Sequence, residues 1–365
     1  MTIQTFGEER AKRYNRALQR CPYARVREII PILFLLYEED RRKQTLIDLA
    51  SGTGYLADAL KPLFERSIRV DKSPAFLAAS QSNRDLIYAD IREVSNILPD
   101  TLQVDAVTCL AALHHIYRLG KDKINVSLSD KVQSESLMRW TRLLAPGGKL
   151  VLVDVGVPDL QTIGKQNYSL AQSLKYYYEQ KQAFFQQKHF SIHTHLFDAI
   201  NEDVPGYRVK RVIQQLLSTC QDGVVSLASL IKQQNLIYRV LPEKMLTVDF
   251  FDEVVANFSI DGHISHFPRE STIQAVLEKS GLENILITCL PTPWVFDTEA
   301  EAVWFVRELF GLGEEAVLDP DDLLKRPDFE KIKAYIHQFL GMVTEEGKTY
   351  VNWQLLFAYG EKPDK

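Results

Sequence analysis

The sequence has little cysteine, no long apolar run and no excess of positive charge. Its four cysteines lie far apart and form no C-x-x-C pair, which argues against a structural zinc site and against a disulfide framework. The most apolar early run, residues 29–37, contains Pro31 and is too short to span a bilayer. No internal repeat or low-complexity segment is present. These absences predict a protein with reduced thiols and no membrane partner.

The balance of charge argues against another class of partner. The 365 residues include 43 Lys plus Arg and 48 Asp plus Glu, which gives a formal net charge of -5. Because nucleic-acid affinity rests on a positive surface, this composition predicts no nucleic-acid partner, although a locally basic groove would be compatible with it. The first twenty residues are polar and charged, which predicts no signal peptide. With the reduced thiols, this indicates a cytoplasmic protein.

Residues 45–155 alternate between strand-like and helix-like segments. The strand-like runs are TLIDLA, SIRVD, DLIYAD, VDAVTCLAAL and KLVLVDV. Short apolar runs separated by helices are typical of parallel strands that are covered on both faces. The strand pattern returns at residues 281–290 and, as a last strand, at 349–360. The sequence therefore predicts one α/β sheet whose last two strands come from the end of the chain.

The other segments are predicted to be mainly helical. Residues 1–44 carry apolar side chains at helical spacing, which predicts N-terminal helices next to a core at 45–155. Residues 156–255 are rich in Gln, Lys, Tyr and His and contain few strand signals, so they are predicted to form a helical cap insertion. Residues 256–365 return to the core sheet and contain a second helical insertion at about 294–345.

The stretch LIDLASGTGYLADAL, residues 46–60, reads as a strand, a glycine loop and a helix. Such a loop lets backbone N–H groups approach a cofactor at the positive end of the helix. Gly52 and Gly54 have the G-x-G spacing, and the dinucleotide fingerprint allows an alanine where Ala57 stands. The loop by itself therefore leaves NAD and other nucleotide cofactors open.

With its surroundings, the loop resembles motif I of the class I methyltransferases that use S-adenosylmethionine. That motif usually has glycine where this chain has Ala50, and an alanine should be tolerated there if its φ angle is not positive. Four later segments resemble the same family in order: Asp71 after the second strand, YADIRE, CLAALHHI and LLAPGGKLVLVD. The resemblance implies a seven-stranded Rossmann-like methyltransferase sheet with helices on both faces and helical cap insertions.

The same resemblance implies a cofactor site at the carboxyl ends of the strands. Asp71 stands where the family's acidic residue binds both ribose hydroxyls, a task that suits a carboxylate because it accepts two hydrogen bonds at once. Asp90 stands where the family contacts the adenine amino group, although either aspartate could simply cap a turn. Tyr14 and Arg25 are candidates to close over the cofactor. The predicted cofactor-binding residues are Asp48, Ala50, Ser51, Gly52, Gly54, Asp71, Lys72, Asp90, Ile91, Leu110, Tyr14 and Arg25.

Two adjacent histidines, His115 and His114, are the candidate catalytic residues. They follow the fourth strand, where methyl donor and acceptor should meet, and a neutral imidazole could take a proton from a hydroxyl or an amine. His115 is placed ahead of His114, although the turn of the loop decides which of them faces the acceptor. Packing under the cofactor is the alternative role, and many methyl transfers need little beyond alignment.

The candidate substrate-binding residues are Tyr176, Tyr177, His263 and His266. The tyrosines belong to an aromatic stripe that either packs in the core or walls an acceptor pocket. The two histidines precede the sixth strand, where the resemblance places the acceptor site, and core packing would explain them equally well. His189 and His193 have a metal-ligand spacing, but no carboxylate motif accompanies them. No metal site is therefore predicted.

The predicted function is methyl transfer from S-adenosylmethionine to an oxygen or nitrogen of a small metabolite, under a lid formed by the insertions. The fourth strand is followed by AALHHI and not by the PPY or PPW motif of amino-group nucleic-acid methyltransferases. Cys109 lies within a strand, which does not suit a C5-cytosine nucleophile. The alternatives are a protein or peptide acceptor, an NAD-dependent oxidoreductase and a catalytically silent binding protein.

Overall fold

The structure, a computed structural model, describes residues 6–38, 43–78, 85–99, 101–121, 123–159 and 247–364. It also describes short pieces at 172–173, 176–177, 179–181, 191–193 and 224–227. Most of the predicted helical cap at 156–255 therefore lies outside the described residues. Within that range the strands β6 (Ser191–His193) and β7 (Val224–Ser226) pair antiparallel.

A seven-stranded sheet lies at the centre of the fold. Its strands are β1 (Lys43–Leu49), β2 (Phe64–Asp71), β3 (Leu86–Tyr88), β4 (Val104–Leu110), β5 (Leu144–Asp154), β8 (Glu283–Pro291) and β12 (Gln354–Glu361). They are ordered β3-β2-β1-β4-β5-β12-β8. The first five are parallel to their neighbours, whereas β12 runs antiparallel to both β5 and β8. The predicted α/β sheet, with its last two strands from the end of the chain, is confirmed.

Helices cover both faces of this sheet. Residues in each strand alternate between two apolar cores, because successive side chains of a strand point to opposite faces. One core contains Leu46 and Val151 and the other contains Ile47 and Leu150. The helices are α1 (Glu8–Arg20), α2 (Val26–Leu36), α3 (Tyr55–Ala59), α4 (Pro74–Ala78), α5 (Val94–Ile97), α6 (Val126–Arg142), α7 (Thr247–Phe250), α8 (Ala256–Phe258), α9 (Glu270–Lys279), α10 (Glu299–Phe310), α11 (Pro320–Leu323) and α12 (Asp328–Tyr335).

A small antiparallel sheet accompanies the second insertion. Strands β9 (Trp294–Phe296), β10 (Met342–Glu345) and β11 (Lys348–Val351) lie in the order β10-β11-β9. The prediction of one strand at 349–360 is therefore wrong, because β11 and β12 belong to different sheets. The chain turns at Trp353, whose ring stacks on Trp294 with centroids 4.0 Å apart and whose carbonyl accepts a hydrogen bond from Thr292 N. Residues 349–360 are mainly apolar apart from Asn352 and Gln354, and they contain no proline and no internal glycine that would mark this turn.

Within the part of the chain that the structure describes, Cys21, Cys109 and Cys289 are free thiols, and all three are buried. No helix there combines the length and the apolar character that a membrane span requires.

A fully buried ion pair fixes α1 against α10. Both side chains of the Arg13–Glu308 pair are 0% exposed, and Arg13 donates from Nε and Nη2 to the two carboxylate oxygens, at 3.2 and 3.1 Å. The same guanidinium donates to the carbonyl oxygens of Leu312 and Gly313, just past the end of α10, at 2.9 and 2.8 Å. A cation is favourable there because the helix dipole is negative at that end.

We expect Glu308→Gln to lower the free energy of unfolding by about 3–5 kcal/mol, because it leaves the buried Arg13 without its counter-ion. Urea denaturation followed by circular dichroism measures the change. Lys12→Ala on the same helix is the control, since Lys12 pairs with Glu8 at the surface and exposed pairs contribute little. Equal stability of Glu308→Gln and Lys12→Ala would contradict a structural role for the buried pair.

Candidate functional site

A cavity of about 530 Å³ lies at the carboxyl ends of the parallel strands. The ends of β1, β2 and β4 form one side, and residues from α1 and α10, with Arg25 just before α2, form the other. Nine of the twelve predicted cofactor residues line it, together with both candidate catalytic histidines and His263. These nine are Tyr14, Arg25, Ala50, Gly52, Asp71, Lys72, Asp90, Ile91 and Leu110.

The loop after β1 turns through three left-handed residues. Ala50 has a φ of 52°, Gly52 of 56° and Gly54 of 84°, and α3 begins directly after Gly54. The expectation that Ala50 would avoid a positive φ is therefore wrong. The residue occupies the conformation for which the motif usually supplies glycine, at a cost of roughly 1–2 kcal/mol. The neighbouring strand end has the same feature, since Ala111 has a φ of 55° and also lines the cavity.

Asp71 joins this loop to the end of β2. Its Oδ2 accepts a hydrogen bond from Gly52 N and its Oδ1 accepts one from Ser73 N, both at 2.8 Å. Burial raises the pKa of Asp71, while these backbone N–H groups oppose the shift by stabilising the carboxylate. Two carboxylate oxygens offer about four lone-pair positions, so the side chain keeps acceptor capacity for a ligand in the cavity.

Three predicted cofactor residues do not line the cavity: Asp48, Ser51 and Gly54. Asp48 is 1% exposed and accepts a hydrogen bond from Thr108 Oγ1 at 2.8 Å. Burial raises its pKa to about 6. Ser51 N donates to the carbonyl of Val70. The structure therefore gives these residues a supporting position and not a direct one.

Asp90 faces the cavity in an ion pair. Arg92 donates from Nε to Asp90 Oδ1 at 2.9 Å and from Nη2 to Oδ2 at 2.7 Å. Burial alone would raise the pKa of Asp90, but these bonds hold it below its ordinary value. Arg92 was not predicted as a site residue, although its position two residues after Asp90 is visible in the sequence.

Glu28 of α2 supports the part of the cavity wall that Arg25 and Trp294 form, without lining the cavity itself. Glu28 is 0% exposed and pairs with Arg25 at 2.6 Å, and it also accepts a hydrogen bond from Trp294 Nε1 at 2.5 Å. Arg25 in turn donates from Nη1 to the hydroxyl of Tyr14 at 2.5 Å. Although burial alone would lower it, the Glu28 carboxylate holds the pKa of Arg25 above its ordinary value. Neither Glu28 nor Trp294 was predicted as a site residue, although Trp294 lines the cavity.

Three histidines gather on the other side of the cavity. The ring centroids of His114 and His115 are 4.1 Å apart, and that of His263 lies 5.4 and 5.1 Å from them. His114 Nδ1 lies 2.5 Å from Asp154 Oδ1, and its backbone N–H donates to Asp154 Oδ2 at 3.0 Å. His263 Nδ1 lies 3.0 Å from Ser265 Oγ. Among the described residues, His115 Nδ1 has no hydrogen-bond partner.

Burial keeps two of these imidazoles neutral. It lowers the pKa of His115 well below its ordinary value of 6.5, and the neighbouring His114 and His263 act in the same direction. The pKa of His263 falls for the same reasons, burial first and then His114 and Arg10. A buried imidazolium would be poorly solvated, so these rings offer lone pairs at physiological pH.

The structure does not bring the other three predicted substrate residues into the cavity. Tyr176 is 42% exposed, whereas Tyr177 is buried and donates from its hydroxyl to Glu270 Oε2 at 2.9 Å, within the second core. His266 Nε2 lies 2.6 Å from Asp130 Oδ1, and its backbone N–H donates to the carbonyl of His114. His266 thus fixes the turn after β4 without lining the cavity. The candidate metal-ligand pair at 189 and 193 falls outside the residues with described side chains.

Aromatic side chains that sequence analysis did not single out complete the cavity. Phe6 lies with its ring centroid 5.3 Å from that of His115, and Phe251 lies 5.7 Å from His114. The ring of Phe251 in turn packs against those of Phe310 and Trp353, with centroid distances of 5.3 and 5.9 Å. Only the fold could reveal these residues, since they come from both ends of the chain.

The segment that contributes most residues of this site matches a known protein family. Residues 47–150 match the family model described as a methyltransferase domain. The match includes the glycine loop, Asp71, Asp90 and the histidine turn. The chain carries a class I methyltransferase domain. This domain uses S-adenosylmethionine, and the protein is an S-adenosylmethionine-dependent methyltransferase. The alternative of an NAD-dependent oxidoreductase is thereby set aside.

Several solved structures resemble the chain at low identity. The YcgJ protein of Bacillus subtilis is 13% identical over 93% of this chain and 99% of its own, with a TM-score of 0.42. A Haemonchus contortus phosphoethanolamine N-methyltransferase, in complex with S-adenosylhomocysteine, is 13% identical over 92% of this chain and 52% of its own, with a TM-score of 0.40. The N-methyltransferase NodS of Bradyrhizobium japonicum is 16% identical over 38% and 65%, with a TM-score of 0.30.

None of these resemblances assigns a substrate to this methyltransferase, because the identities and TM-scores are too low. No curated protein sequence matches the chain. The residues that line the cavity are therefore the basis for assigning the methyl acceptor.

We expect Ala50→Gly to raise the free energy of unfolding by up to about 1 kcal/mol, because glycine adopts a positive φ without strain. Thermal or urea unfolding measures the change. Ala57→Gly, seven residues later within α3, is the matched control and should destabilise by about 1 kcal/mol. If both substitutions lowered stability equally, the left-handed conformation of Ala50 would carry no strain.

Proposed function

We propose that this methyltransferase transfers a methyl group from S-adenosylmethionine to an oxygen or nitrogen atom of a small metabolite. The observation that carries the proposal is that one cavity contains both Asp71 with the glycine loop and the histidine cluster. Its volume of about 530 Å³ is in the range of pockets that enclose small ligands. Cofactor and acceptor can thus meet in one cavity.

The residues around the loop fit the cofactor. Asp71 has free acceptor positions for the two ribose hydroxyls, and Gly52 presents backbone to the cavity where a Cβ atom would approach Phe76 to 3.9 Å. Asp90 and Ile91 are proposed to contact the adenine, with Lys72 and Leu110 beside them. Tyr14 and the Arg25 cation are proposed to close over the amino-acid portion. In this arrangement Asp48, Ser51 and Gly54 support the loop from behind.

The acceptor is proposed to bind against the histidines. Rings follow one another from Phe76 through Phe6 to His115, with centroid distances of 5.9 and 5.3 Å, so the wall of the cavity is continuous from the glycine loop to this cluster. Neutral imidazoles accept hydrogen bonds from O–H and N–H groups. His263 is the predicted substrate residue that remains in this position, while the geometry does not support a binding role for Tyr176, Tyr177 or His266.

The protein's contribution to the reaction is alignment, exclusion of water and removal of a proton. When bound, S-adenosylmethionine supplies a methyl group on a positively charged sulfur. A lone pair of the acceptor forms the new bond to the methyl carbon, and the electron pair of the broken carbon–sulfur bond stays on sulfur. His115 is proposed to receive the acceptor's proton, since its Nδ1 lacks a described partner, while Asp154 holds His114 in place. Alignment in a dry cavity supplies most of the acceleration.

A protein or peptide side chain is the alternative acceptor. Incubation with labelled S-adenosylmethionine separates the two cases, because a metabolite extract should yield labelled small products and the protein fraction should stay unlabelled. Label in the protein fraction alone would overturn the small-molecule proposal. Nucleic acid is not proposed, in keeping with the net charge of -5.

We expect Asp71→Ala to weaken binding of S-adenosylhomocysteine about a hundredfold, because hydrogen bonds to a charged group contribute roughly 1.5–3 kcal/mol each. Titration calorimetry measures the affinity. Asp105→Ala is the matched control: Asp105 also accepts two backbone N–H groups, from Gln44 and Thr45, but it lies at the opposite end of the strands. Unchanged affinity in Asp71→Ala would show that the ribose does not bind there.

We expect His115→Ala to lower kcat by about a hundredfold or more, the usual scale for a general base. The base must be neutral, and the pKa of His115 lies well below 6.5. The rate of the wild type should therefore stay constant as the pH falls to 6.5 and decrease only at more acidic pH. The pH dependence of kcat with an identified acceptor measures this, and His337→Ala, at an exposed position, is the control. A rate that already halves near pH 6.5 would contradict the assignment.

A further inference from the structure

The histidine cluster has a property that a single base does not require. His114, His115 and His263 each present a ring nitrogen such that the three atoms lie within 4.8 Å of one another. Two of the residues come from the turn after β4, and the third comes from the loop before α9. Core packing needs no convergence of nitrogens, and three imidazoles with neighbouring lone pairs repel one another unless a proton or a cation lies between them.

We propose that His114, His115 and His263 bind one divalent transition-metal ion, with Zn²⁺ as the best fit. Imidazole nitrogen is a preferred ligand of Zn²⁺, and three protein ligands leave the fourth position open for a small molecule, as in catalytic zinc sites. In a tetrahedral site with Zn–N bonds of about 2.1 Å, the nitrogens are about 3.4 Å apart. The rings would thus close by roughly an ångström around the ion.

The surroundings of the rings support this site. Metal-binding histidines usually use their second nitrogen in a hydrogen bond to a carboxylate or another polar group, which fixes the ring. Here Asp154, which is fully buried, holds His114 Nδ1 at 2.5 Å, and Ser265 lies 3.0 Å from His263 Nδ1. These contacts leave the Nε2 atoms of His114 and His263 for an ion, and His115 adds an Nδ1 without a described partner.

The charged groups around the cavity limit which molecule can be the fourth ligand of the metal ion. Five cationic side chains line the cavity against two carboxylates, so an added dication needs further negative charge beside the rings. The cations are Arg10, Arg25, Lys72, Arg92 and Arg118, and the carboxylates are Asp71 and Asp90. An acceptor with an O–H group meets this requirement, because it becomes an anion when it coordinates and its proton leaves to solvent. In this form of the site His115 is a ligand in place of the proton acceptor. Only this identification of the fourth ligand rests on the proposed function.

Zinc binding itself tests the proposal without any acceptor. Metal-free protein is titrated with ZnCl₂ by calorimetry, and with Co²⁺ by visible absorption, which reports tetrahedral coordination. We expect one Zn²⁺ per chain at micromolar affinity or tighter. His263→Ala should weaken binding about a hundredfold, and Ser265→Ala, which removes only the group behind the ring, should weaken it about tenfold. The exposed His337→Ala should bind as the wild type does.

The controls separate this proposal from the proposed function. S-adenosylhomocysteine binding and circular dichroism of His263→Ala show that the variant is folded. Absence of zinc binding in the wild type, or equal binding in His263→Ala, would overturn the metal site and leave the methyl-transfer proposal standing. Conversely, zinc binding without S-adenosylhomocysteine binding in the wild type would count against the proposed cofactor arrangement alone.

Discussion

Two buried glutamates determine whether the cavity has a second wall. The sheet edge provides one side, but the opposite side is made of helices from the start of the chain and of residues near its end. Glu308 holds Arg13 of α1, and Glu28 holds both Arg25 and Trp294. Apolar contacts are non-directional and would not by themselves fix the positions of these helices. A buried carboxylate that is bound by a guanidinium permits little movement, because each unpaired charge would be costly.

The sheet edge is also held in a conformation that local preference opposes. Ala50 and Ala111 end β1 and β4 with left-handed backbones, where a Cβ atom is unfavourable. Such residues persist only where the surrounding structure fixes them, and they concentrate at functional sites. Here the hydrogen bonds from Gly52 N to Asp71 and from Ala111 N to the Val153 carbonyl supply that restraint. The chain is thus turned sharply enough to present the loop and the histidines to the same cavity.

The parts of this architecture that depend on local pattern could be predicted from the sequence. The parallel strands are short apolar runs, and the glycine loop, Asp71 and the histidines stand directly after them. What the sequence could not show depends on contacts between distant residues. The Glu28–Trp294 bond spans 266 positions. The aromatic stripe with Tyr177 could not be assigned to core or pocket, because its pattern is the same whether it faces a ligand or, as here, Glu270. The φ of Ala50 was missed because the loop's tertiary bonds override the residue's preference.

The neutral side chains of His115 and His263 connect the general-base role of His115 with the proposed metal site. A methyl donor with a positive sulfur is repelled by a nearby imidazolium, and a low-dielectric cavity would strengthen that repulsion. Burial lowers the pKa of His115 and of His263, so these two rings add no positive charge beside the donor. The same uncharged lone pairs are what a metal ion requires of its ligands. Asp154 offsets positive charge on that side of the cavity, as Asp71 does beside the ribose. A neutral His115 can thus take the acceptor's proton where no metal ion is bound, and where one is bound the anionic acceptor offsets the added positive charge.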